Sequence, residues 1–167
     1  MNRGEVLTRG AIWISILAYT AGSVSFAVAR RDRWTRLAWT IGCAALLAHF
    51  ICAFNYYHAW SHASAYSETA RQTAEVYRLN WGGGLFINYG VLLLWICDLG
   101  WWWFAGVSSY RRRPWLLTML WHIFLIFIIF NAMVVFKDGL TRWIGLLITL
   151  SLCLSWARST TRGPVTA

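Results

Sequence analysis

GVLLLWICDLGWWW, residues 90–103, decides the class of this molecule. The stretch sits within an apolar block from about 82 to 106, long enough as a helix to cross the roughly 30 Å of a bilayer's hydrocarbon. Asp98 lies inside it. A carboxylate at membrane depth is costly and normally has a partner or a task.

Working outward, comparable blocks occupy about 11–29, 37–60 and 115–136, and a shorter one runs from about 140 to 157. The expected fold is all-α: a polytopic membrane bundle forming a single transmembrane domain over residues 1–167. Five spans are expected, with four as the alternative if the last block does not cross.

Composition agrees. Hydrophobic residues make up 59% of the 167 and charged residues only 13%, with a mean hydropathy of +0.50. A soluble domain carries about a quarter of its residues as charge. The net charge of +9 does not imply nucleic acid, because the basic residues flank the apolar blocks as membrane anchors do. Cys43, Cys52, Cys97 and Cys153 all fall in apolar stretches without a CxxC spacing, so they read as small buried residues.

Five spans place nine Lys and Arg on one side and six on the other; four spans leave seven against eight. The positive-inside rule then favours five, with the N-terminus outside and the C-terminus cytoplasmic, in a cytoplasmic membrane. Ala27-Val28-Ala29 resembles a signal-peptide cleavage site, but the basic block follows the first span instead of preceding it. Trp34, Trp39, Trp101, Trp102, Trp103, Trp115 and Trp156 are expected to form an interfacial belt on the cytoplasmic side.

Residues 61–80 separate spans two and three. Glu68, Arg71, Glu75 and Arg78 recur at three or four residues, which predicts a short amphipathic helix, continuing span two or lying on the outer surface. His58 and His62 stand four apart, a spacing that on one helix lets two imidazoles reach one metal. Gly82-Gly83-Gly84 lacks the context of a phosphate loop and suits a hinge or a close helix approach.

Counting 1.5 Å per residue from the cytoplasmic ends puts Asp98 at about 12 Å and His122 at about 10 Å. They are therefore expected to pair, locking spans three and four or serving proton transfer. Asn55, Asn88 and Asn131 fall at about 24–27 Å and form an outer polar layer. His49 and His122, the fully intramembrane histidines, are candidate haem ligands, although their levels differ by about 8 Å.

Three readings follow. The leading one is an accessory or structural subunit, embedded in lipid and packed against a larger membrane complex or its own copies. The second is a redox subunit binding haem b or a metal ion through histidines. The third is a proton or small-solute carrier centred on Asp98.

Overall fold

An apolar chain in an apolar solvent must pair its backbone N–H and C=O groups internally, and long helices do this segment by segment. The computed structural model describes residues 2–29 and 32–161, with side chains for 2–26 and 33–157. It contains α1 (Arg3–Ala29), α2 (Asp32–Tyr57), α3 (His62–Tyr77), α4 (Gly84–Phe104), α5 (Gly106–Arg111), α6 (Trp115–Phe130) and α7 (Gly139–Thr161). A π-helical turn, Asn131–Val135, prolongs α6. Of the basic residues counted above, Arg30, Arg31 and Arg162 lie outside the described residues.

The protein is an all-α bundle. Among the described residues, Arg33–Tyr57, Gly84–Phe104, Trp115–Val135 and Gly139–Ala157 are long and apolar enough to span a membrane. The last of these is the block whose length looked marginal; it has 19 residues and a mean hydropathy of 1.5.

Helices α1 and α2 form an antiparallel hairpin. Gly4 lies against Tyr56 at one end, and Gly22 lies against Ala38 and Trp39 at the other. Midway, the Ser15 hydroxyl donates to the Gly42 carbonyl at 2.9 Å. Trp95 of α4 closes over the same point, so that a Cβ on Gly42 would lie 2.9 Å from its ring. Helix α7 packs on α1 and on the α6 unit, and α2 packs on α4. The core is aromatic where these helices converge, with Tyr19, Trp39, Trp95, Leu125, Ile129 and Leu152 buried together.

Segment 61–80 does not prolong α2. Ala59 and Trp60 take left-handed backbone angles, φ 46° and 61°. The Trp60 N–H donates back to the Phe54 carbonyl at 3.0 Å, closing the end of α2. Ser61 then caps α3, its hydroxyl accepting from the Ser64 N–H at 3.2 Å. Ala65, Ala70 and Thr73 are buried, and α3 packs on α4. On its exposed face Arg71 bonds both Glu68 and Glu75. Hydrogen bonds from Arg71 and Gln72 hold the Glu68 carboxyl down at about 2. Gly82 fits under α3, where a Cβ would meet the Tyr66 carbonyl at 2.5 Å.

This turn corrects the expectation for His58 and His62. His58 stands beyond the end of α2 and His62 begins α3, so the two share no helical face.

The tryptophan belt also needs revision. Trp34, Trp101, Trp103 and Trp115 are exposed, but Trp39 and Trp102 are only 2% and 1% exposed and belong to the core. The reason is polar, as Asp98 shows.

Candidate functional site

Helix α4 carries Asp98 inward and ends six residues later at Phe104. Gly106 takes φ +80°, a conformation costly for any residue with a Cβ, and the chain bends into α5. Pro114, with φ −53° and no N–H, then starts the turn into α6. The short α5 and the loop after it thus bring Tyr110 and Arg113 back onto α4.

Three donors hold Asp98 there. Its Oδ2 accepts from Trp39 Nε1 at 2.8 Å and from the Tyr110 hydroxyl at 2.9 Å. Its Oδ1 accepts from the Arg113 guanidinium in a direct ion pair, with side-chain exposures of 12% for Asp98 and 7% for Arg113. Arg113 is fixed in turn. Its Nε donates to Thr118 Oγ1 at 2.7 Å, and its guanidinium lies 4.0 Å from the Tyr110 ring centre. The Tyr110 ring stacks on Trp102 at 4.2 Å with the planes 9° apart. Burial first, and then the neighbouring Asp98 charge, push the Tyr110 phenol far above its ordinary range. It therefore stays protonated and keeps donating.

This explains the burial of Trp39. An indole N–H is a donor with no acceptor capacity, so Trp39 can enter the core by spending it on a carboxylate. The cluster joins α2, α4, α5 and the start of α6 through one buried anion.

Asp98 and His122 are close in level but not bonded to one another. His122 Nδ1 is hydrogen-bonded to the Tyr19 hydroxyl at 2.9 Å, and its ring lies 4.6 Å from that of Trp156. Trp39 stands between the two sites, donating to Asp98 while its ring lies 5.6 Å from His122. A guanidinium outcompetes an imidazole for the carboxylate because it is always charged and presents a fixed fork of donors.

The two candidate haem histidines are not brought together. His49 Nδ1–H donates to the Thr8 carbonyl at 2.9 Å. It lies ten residues along α2 from Trp39, which marks the level of His122. That separation is about 15 Å along the axis, too far for one iron to be shared.

At the opposite end, His58 packs on Phe54 while His62 packs on Phe86 and Tyr89. Among the described residues no three His, Cys, Asp or Glu side chains converge as a metal site. The three asparagines do not bond to one another. Asn55 and Asn88 are exposed, and Asn131 accepts from the Tyr77 hydroxyl of α3 at 2.6 Å.

Four participants escaped the sequence reading: Tyr19, Trp39, Tyr110 and Arg113. Arg113 carried a usable signal. A long basic side chain just outside a span can lay its stem along the helices and place its head at depth.

Comparison with protein-family models, with curated proteins and with solved structures returned no match. Geometry has to carry the functional reading.

Proposed function

We propose that the protein is a small integral membrane subunit with an accessory, structural role in a larger membrane assembly. The observation that carries this reading is that three donors fixed in the fold hold Asp98. A carboxylate serving as a proton relay exchanges its proton with a mobile partner, and it gains little from a fixed cation bonded to it. Asp98 instead neutralises a fixed arginine and clasps four segments of chain.

The perimeter is that of a membrane-embedded fold and leaves room for a partner. No more than 28% of any of the four apolar spans is buried inside the fold. Leu93, Leu94, Phe104, Leu120, Phe127 and Leu147 face outward from α4, α6 and α7. Such a surface suits lipid, and it suits neighbouring helices equally.

In this reading α1 is the fifth crossing. It runs beside α2 from Gly4 opposite Tyr56 to Gly22 opposite Ala38, about 27 Å of helix. The basic residues then favour α1 starting outside and α7 ending in the cytoplasm.

Isolation from membranes in a mild detergent tests the proposal. Co-migration with a larger membrane protein, lost when exposed leucines of α6 or α7 are replaced by polar residues, is the expected result. A monodisperse free monomer at every detergent concentration would refute the subunit role.

A further inference from the structure

Beside the Asp98 cluster lies a cavity with a free volume of about 10 Å³. Tyr110, Arg113 and His122 line it. Three further polar side chains in its wall come from three helices: Ser23 of α1, Thr35 of α2 and Trp102 of α4. These residues are 4%, 2% and 1% exposed. Ser23 Oγ, Thr35 Oγ1 and Trp102 Nε1 each lack a hydrogen-bond partner within the protein.

Three orphaned polar groups in one wall call for a common partner. An unpaired buried donor or acceptor is costly, and buried polar groups nearly always find a partner. Thr8 Oγ1, Trp95 Nε1 and Trp121 Nε1 are also unpartnered, but these residues do not line this cavity. The distinction is space. A volume of about 10–15 Å³ accommodates one water centre, provided two to four polar partners are at hand.

The geometry points to a bound water molecule held by Ser23, Thr35 and Trp102. The indole N–H can only donate, so the water accepts from Trp102. Its remaining lone pair and two protons serve the hydroxyls of Ser23 and Thr35, each of which can donate or accept. The water ties together the ends of α1, α2 and α4 just where α5 folds against them. The site stands independently of what covers the perimeter.

The test reads the Trp102 indole in the full-length protein, ¹⁵N-labelled in detergent micelles, with its resonance assigned by loss in Trp102→Phe. Magnetisation transfer between the indole N–H and water, with the sign of a long-lived bound molecule, is expected for Trp102 and not for Trp95. Thr35→Val keeps the shape and removes the hydroxyl, so the Trp102–water cross-peak should be lost while the fold persists. If Thr35→Val does not fold, Ser23→Ala takes its place with the same expectation. A resolved Trp102 signal without water contact overturns the proposal. So does equal contact at Trp95, or a cross-peak untouched by the substitution.

Discussion

Asp98 and Arg113 form a buried pair whose worth depends on which half is removed. Taking away one partner leaves a desolvated charge, and such losses cost about 3–5 kcal/mol. Arg113→Gln should therefore destabilise strongly, and Asp98→Asn as well, since Arg113 would then face a neutral amide. The double variant should be less destabilised than the two single effects combined. Thermal unfolding of all four proteins in one detergent measures this cycle, and strict additivity would mean that the pair is not coupled. Trp39→Phe removes one donor from a carboxylate that keeps two, at a cost of about 1.5–3 kcal/mol for a bond to a charged group. Tyr19→Phe is different in kind. It takes the hydroxyl from His122 Nδ1, which is buried, so an orphaned imidazole nitrogen should cost about 1–3 kcal/mol without disturbing the Asp98 cluster.

At the scale of elements, two close contacts carry the architecture, and one surface helix carries a measurable titration. The α1–α2 hairpin meets α4 where Ser15, Gly42 and Trp95 touch. A larger side chain at Gly42 must displace Trp95, and overpacking of this kind costs about 1–3 kcal/mol. Gly42→Leu should lower the unfolding temperature and shift the tryptophan emission, whereas Gly10→Leu, with nothing within 4 Å of its Cβ position, should do neither. Helix α3 responds to acid. The folded Glu68 carboxyl is held at about 2, below its ordinary value of 4.5. Because the shift is downward, its stabilising contribution is fully present above about 4.5 and is lost as the pH falls through about 2. Solvent screening keeps that contribution to roughly a few tenths of a kcal/mol. Carboxyl ¹³C titration should find Glu68 titrating near the lower value, and Arg71→Gln should bring it back towards the ordinary one. An unchanged titration in Arg71→Gln would show that the ion pair is not what lowers it.

For the molecule as a whole, the helices were legible because one physical demand, satisfying the backbone in apolar surroundings, writes itself into block length. Asp98 was legible as an anomaly for the same reason. Its partners were not. Depth counting treats every helix as a straight ruler and compares only residues inside spans, so it paired Asp98 with His122. The actual partners reach it through a bend at Gly106 and an arginine side chain lying back along the bundle, features outside the ruler. Trp39 and Trp102 were misplaced because indoles favour interfaces on average, while a buried acceptor or a small polar cavity can draw one inward. His58 and His62 looked like one helical face because four-residue spacing says nothing about a left-handed turn between them. The remaining whole-molecule question is the number of crossings, and α1 decides it. Four crossings would leave the start of α1 and the end of α7 on faces set by α2 alone, with α1 lying outside the hydrocarbon. Yet α1 follows α2 from Gly4 to Gly22, and it buries Tyr19 in the same core as Trp39 and Trp95. In the proposed five-span reading, a helix so placed shares the membrane depth of its neighbour. Tags fused before Arg3 and after residue 167 should thus be reached by an impermeant reagent from opposite sides of sealed vesicles, the first from outside and the second from the cytoplasmic face. Labelling of both from one side would remove α1 from the set of crossing helices and with it the five-span topology.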